Sequence, residues 1–152
     1  MARTVQGFLP FVPPTVTHNA LEAYTFRRGS KTKAAIRKSD RLKAAEDMMR
    51  PYVERLAKSS TCCPIRGKVI ETLKICWPTE GVHEQGELRD DPPDLDNWIK
   101  TFNDLCEACG VISDDAHVVR YKDVCKVWAD PAGVFVRFEE IPKARGQDGR
   151  AS

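Results

Sequence analysis

The stretch Asp94-Leu-Asp-Asn-Trp-Ile-Lys-Thr-Phe-Asn-Asp-Leu-Cys-Glu-Ala-Cys-Gly-Val-Ile-Ser-Asp-Asp115 reads as a helix, a stop signal and the approach to a strand. Leu95, Trp98, Ile99, Phe102, Leu105, Cys106 and Cys109 recur at helical spacing and give one apolar face to a helix over 95–109. Gly110 stands where a left-handed residue closes such a helix. Pro93 disfavours helical backbone in the residue before it. Asp94 therefore falls in extended or turn backbone. Asp96 falls at or beside the N-cap, where unpaired N–H groups and the helix dipole favour a carboxylate. With helical spacing from about Asn97 onward, Asp96, Lys100 and Asn103 share one polar face, opposite Trp98 and Phe102.

Downstream of this helix, Val118–Trp128 and Val134–Ile141 read as strands joined through Ala129-Asp-Pro-Ala-Gly133 as a hairpin. Upstream, Gly67–Trp77 alternates as another strand. Between it and the helix, Pro78–Pro93 is a sixteen-residue loop with five acids, two glycines and three prolines. Loops of that length inside a compact domain are usually functional or mobile. Earlier still, Ser39 can cap a helix carrying Leu42, Ala45, Met48, Met49, Tyr52, Val53 and Leu56, which Pro51 should kink or divide. Thr15–Thr32 reads as a long surface loop, and Val5–Val12 as a first strand stopped by Pro13-Pro14. The order is strand, helix, strand, helix, strand, strand. Two helices covering one face of a small mixed sheet make the class α+β. A single domain over 1–142 is expected, followed by a polar tail over 143–152.

With 41% hydrophobic and 30% charged residues in 152, the composition is that of a folded globular chain. No apolar run approaches the roughly 20 residues needed to cross a bilayer. Met1–Gly7 has no apolar signal region, so the expectation is a cytoplasmic protein without a membrane partner. No glycine-rich phosphate loop occurs, which excludes a nucleotide cofactor from the expectation. The six cysteines read as reduced, mostly buried thiols; Cys106 and Cys109 have the spacing of half a zinc site but lack two further ligands. His18, His83 and His117 are scattered, and His117 reads as structural.

Charge is unevenly spread. Between Thr25 and Lys43 eight basic residues face one acid, a local charge of +7 that leaves −5 for the rest of a chain of net +2. Such a split suits one surface that meets phosphates and another that gathers carboxylates. Two acids beside a lysine, as in Asp94, Asp96 and Lys100, suit phosphodiester hydrolysis: carboxylates hold a hard cation, and the lysine meets phosphate charge or orients water. The same residues also have plain structural uses, as a turn residue, a helix cap and an i,i+4 ion-pair partner. Asp114-Asp115 adds a second acidic pair after the helix. A helix of about 14 residues is roughly 21 Å long. Asp115 thus reaches the first pair only if the next strand runs back beside the helix start, or if a dimer partner brings it in.

Asp94-Leu-Asp-Asn-Trp-Ile-Lys100, then Asp104-Leu, Gly110-Val and Asp114-Asp115-Ala-His-Val118-Val119, resembles the RusA family of Holliday-junction resolvases. The likeness is close from Pro92 to Ile141. Pro13-Pro14 with Asn19 is similar to the family's opening, and residues 20–89 match in element order only. The resemblance implies a RusA-like homodimer that cuts four-way junctions or other branched DNA in pairs, in recombination and repair, often in phages. It implies Asp94, Asp96 and Asp115 as catalytic acids holding Mg²⁺, with Mn²⁺ as a substitute, and Lys100 as the catalytic lysine. Asn97, Asn19 and Asp114 would support them, and Asp104 would pair with Lys100 or cap core packing. Arginines often precede the motif in this family, whereas here Arg89-Asp-Asp-Pro-Pro93 is acidic. The expected DNA contacts are therefore Arg27, Arg28, Lys31, Lys33, Arg37, Lys38 and Arg41, and strict junction preference stays open. The alternatives are a branched-DNA-binding module without catalysis, a less selective flap or branch nuclease, and a hydrolase of small phosphates.

Overall fold

In the computed structural model, which describes residues 3–17 and 19–144, the chain runs β1 (Thr4–Leu9), β2 (Leu21–Arg28), β3 (Lys31–Lys38), α1 (Asp40–Lys58), β4 (Val69–Trp77), β5 (Glu87–Leu88), α2 (Leu95–Ala108), a 3₁₀ turn (Asp115–His117), β6 (Val118–Trp128) and β7 (Gly133–Glu140). His18 and the expected polar tail beyond residue 144 lie outside the described residues. Alternation along β4 decides the architecture: Val69, Glu71, Leu73, Ile75 and Trp77 are buried on one face, while Ile70, Thr72 and Lys74 are less covered. Val5 and Leu9 of β1 and Val134, Val136 and Phe138 of β7 extend that face. Met49, Val53 and Leu56 of α1 and Trp98, Phe102 and Leu105 of α2 pack on it in a single core. Both helices thus cover one face of a mixed sheet, and the α+β class is found.

The sheet order is β1-β7-β4-β6-β5. β4 and β6 are parallel, and the other neighbours are antiparallel. Parallel neighbours need a crossover, and α2 supplies it. β6 then runs back along α2, with its first residue, Val118, paired to Val69 at the start of β4. This topology sets which end of β6 meets which end of α2.

Four expectations need correction. Thr15–Thr32 is not a loop throughout: β2 and β3 pair as an antiparallel hairpin from Leu21↔Lys38 to Arg28↔Lys31. A two-residue turn closes it, with Gly29 at φ 66°. Both strands are exposed along almost their whole length, so no buried alternation marks them in the sequence. Second, α1 continues through Pro51 as one helix. Pro51 and Asp47 face solvent, so the Asp47 carbonyl that loses its N–H partner lies on the wet side. Third, the loop before α2 contains β5, paired to the end of β6. The element order gains three strands accordingly. Fourth, β6 and β7 are not a hairpin: β4 lies between them, parallel to β6 and antiparallel to β7, so Ala129–Gly133 carries the chain across the end of β4. Ser39 does cap α1, its Oγ accepting from the Leu42 N–H at 3.1 Å. Gly110, at φ 82°, follows α2. All six cysteines are free thiols, with Cys76 and Cys106 buried.

Candidate active site

The N-cap of α2 is Asp94, in extended backbone, with Asp96 one residue into the first turn. The Asp94 side chain makes no capping bond. It accepts instead from Asn97 Nδ2 at 3.4 Å. The approach to Asp94 is held from several sides. The Arg89 guanidinium lies between two indoles, 4.3 Å from the Trp77 ring centre and 4.5 Å from that of Trp128. Its Nη2 donates to the Pro92 carbonyl at 2.6 Å. Lys126 Nζ donates to the carbonyls of Asp91 and Pro93 at 2.9 and 2.7 Å. Trp77 and Trp98 donate from Nε1 to the carbonyls of Pro13 and Pro14 at 2.8 and 2.9 Å, which ties the N-terminal segment beside the same helix. The long acidic loop is thus shaped by one cation enclosed between indoles and another that bonds its carbonyls.

One turn beyond Asp96, Lys100 Nζ donates to Asp115 at 2.8 Å and to Asp104 at 2.9 Å. These bonds, Asp115 first, raise the lysine's pKa further, so Lys100 is fully charged. The Lys100 bond holds the Asp115 carboxyl below its ordinary value, while burial raises Asp104. The backbone fixes Asp115 as well. Glu107 Oε1 accepts from its N–H at 2.7 Å, and Asp114 Oδ1 caps the 3₁₀ turn by accepting from the Ala116 N–H at 2.9 Å.

Among the described residues, carboxylate oxygens of Glu107, Asp114 and Asp115 all lie within 4.8 Å of one another. That is the spacing and the hard oxygen chemistry a Mg²⁺ or Mn²⁺ ion takes. Asp115 therefore shares a metal-sized cluster with Glu107 and Asp114 and meets α2 at Lys100, one turn beyond Asp96; among the described residues Asp94 and Asp96 are not members of that cluster. Glu107 escaped the sequence reading, although it extends the polar stripe of Asp96, Lys100 and Asn103 by one more turn.

The return of β6 along α2 puts a different acid opposite Asp96. An open groove of about 640 Å³ is lined by Asp96, Tyr121, Lys122 and Asp123. A second cleft, of about 720 Å³, carries Arg3, Arg66, Lys68 and Lys143 and reaches His117 in the turn that holds Asp115. Neither Asp123 nor these cations stood out in the sequence, because they are single charges spread over separate elements.

The basic cluster is divided by the fold. Arg27, Arg28, Lys31 and Lys33 gather at the turn end of the hairpin. At its base, Arg37 pairs with Glu22 at 2.7 Å and lies over the Tyr24 ring, while Lys38 holds both carboxylate oxygens of Glu46. Those two charges are already answered. Arg41 is exposed on the first turn of α1, and Asn19 is exposed in the turn before β2.

Beneath the polar stripe, Asn103 Nδ2 donates to Glu71 Oε1 at 2.7 Å. Burial pushes the Glu71 carboxyl up to about 7. The sequence signal was a single acid in the apolar row of β4.

The family model for endodeoxyribonuclease RusA matches residues 13–139, and the chain belongs to the RusA family. Membership makes the chain one of a family of endodeoxyribonucleases of the Holliday-junction resolvase type. A search of curated proteins found no match. Among the described residues, no helix is long and apolar enough to cross a membrane.

Proposed function

We propose that the chain hydrolyses phosphodiesters of branched DNA with Mg²⁺ or Mn²⁺, using Asp94, Asp96 and Asp115 as metal-holding acids and Lys100 as the phosphate-facing lysine. The observation that carries this reading is the 2.8 Å contact of Lys100 with Asp115. It supports the reading by setting the acid before β6 against α2, one turn beyond Asp96. Glu107 and Asp114 supply further oxygens at the same place. When bound, the ion polarises a phosphate oxygen and lowers the pKa of a coordinated water. Lys100 offers the incoming phosphate a full charge in place of its carboxylate partners, and Asn97 steadies Asp94 through its amide. In this reading the hairpin tip and the Arg66/Lys68 cleft supply the phosphate contacts.

Resolving a four-way junction takes two matched cuts, so a chain with one such site works as a C2 homodimer. Recombination and repair of DNA in the cytoplasm is the setting that follows from this substrate. One observation favours a less selective branch nuclease. Arg89, the arginine nearest the D-L-D-N run on its N-terminal side, is enclosed by Trp77 and Trp128 with 9% of its side chain exposed, and so is withheld from phosphates.

The test is cleavage of a labelled four-way junction and a matched linear duplex, with Mg²⁺ or with EDTA. Symmetric metal-dependent cuts in the junction are expected. Asp94→Asn and Asp96→Asn should abolish cutting while DNA binding persists. Full cutting by either variant removes the assignment, and equal cutting of the linear duplex removes branch selectivity.

A further inference from the structure

Asn103 and Glu71 each leave one side-chain oxygen without a partner, and the two gaps match. Glu71 is fully buried in the row of Val69, Leu73 and Ile75, and Asn103 is 4% exposed on α2 above it. One bond joins them, from Asn103 Nδ2 to Glu71 Oε1. Among the described residues, Glu71 Oε2 and Asn103 Oδ1 are the atoms of this pair that lack a hydrogen bond. An ionised carboxylate only accepts, so it can offer nothing to Asn103 Oδ1. A carboxylic acid can donate from Oε2 to Asn103 Oδ1 while Oε1 keeps the existing bond. A two-bond ring then satisfies all four polar groups, as buried polar groups normally require.

The surroundings agree. Tyr121 of β6 is the cross-strand partner of Glu71, Phe138 of β7 is its partner on the other side, and Cys106 of α2 stands near enough to feel its charge. None of these is a cation. A negative Glu71 charge also works against ionising Tyr121 and Cys106, whose pKa values are raised chiefly by burial.

We propose that Glu71 and Asn103 form a neutral acid–amide pair that sets the rotation of α2 on the sheet and thereby the reach of Lys100 to Asp115; the positioning half rests on the role given to Lys100 and Asp115 above. Trp98, Phe102 and Leu105 hold α2 on the sheet by apolar packing, and such burial is non-directional. Asn103 lies one turn after Lys100 and directly precedes Asp104. Turning the helix enough to break the pair therefore moves Lys100, and Asp104 with it, against Asp115. Ionising Glu71 removes the donor and loosens that setting.

The experiment combines infrared spectroscopy of the protein in D₂O with junction cleavage in Mg²⁺ across pH, for the native chain, Glu71→Gln and Glu71→Leu. Below neutrality the native chain should show a protonated carboxyl band that is missing in Glu71→Gln and fades above neutrality. Glu71→Gln keeps both bonds of the ring, so it should cut at close to the native rate and hold that rate further into alkali. Glu71→Leu should lose about tenfold in kcat with KM little changed, the mark of misplaced groups. A native spectrum without the band, or Glu71→Gln as impaired as Glu71→Leu, overturns the proposal. Should Glu71→Leu not fold, the band and the alkaline profile of Glu71→Gln decide it. A native chain that cuts no DNA overturns the roles of Lys100 and Asp115 and the positioning with them, while the band still decides the pair.

Discussion

Lys100 stands half exposed between two carboxylates that are themselves partly wet. Ion pairs in that setting contribute about 0–1 kcal/mol to stability. Lys100→Ala should therefore leave the melting transition nearly unchanged while lowering single-turnover cleavage by about 10²-fold or more. A large loss of stability with normal cleavage would reverse the role given to the residue. Glu71 lies at the other extreme. Its folded carboxyl titrates near 7 rather than near the ordinary 4.5. Between those values the folded chain holds a proton that the unfolded chain has released. Stability must then fall as pH rises through that window, by about 3 kcal/mol in all, and level off above it. Denaturant titrations across the range should show this slope in the native protein and lose it in Glu71→Gln. An unchanged slope in the variant would assign the titration to another group.

At the scale of elements, legibility followed the range of the signal. The bounds of α2 were readable because its apolar stripe, Pro93 and Gly110 are all local to it. The β2–β3 hairpin was not, since neither strand buries a face and its basic residues resemble a solvated loop. D-L-D-N and Asp115 stood out as a pattern, but Asp123 meets the Asp96 groove only through the return of β6 along α2, and Glu107 meets Asp114 and Asp115 only through the turn before β6. The hairpin also yields a prediction. Removing Arg27, Arg28 and Lys31 together should lower the salt slope of DNA binding by roughly 0.9 for each phosphate that these cations neutralise. An unaltered slope would place the phosphates in the Arg66/Lys68 cleft instead. The first turn of β7 offers a structural test. A Cβ at Gly133 would strike the Phe8 ring and lie 2.6 Å from the Leu9 carbonyl oxygen. Gly133→Ala should destabilise the fold by about 1–3 kcal/mol in denaturant melts, through the β1–β7 seam.

Over the whole molecule, the division of charge seen in the sequence is sharper in space. Arg27, Arg28, Lys31 and Lys33 collect at the hairpin tip, and Arg66, Lys68 and Lys143 in the cleft by His117, where Arg3 pairs with Glu140, while acids line one edge of α2 and the turn before β6. Paired incision would require two such edges at a fixed separation. Light scattering at working concentration should accordingly give twice the mass of one 17.1 kDa chain, and a monomer that still makes paired cuts would end the dimer reading.

The clamp around Arg89 has a consequence of another kind. Two of the three tryptophans, Trp77 and Trp128, sandwich that guanidinium, and His83 stacks on Trp128 at 3.9 Å. The indoles thus sit against the very loop that leads to Asp94. Their emission is a built-in optical gauge of that loop, so any movement of it when DNA binds can be followed in the unlabelled protein, in real time and before any bond is cut.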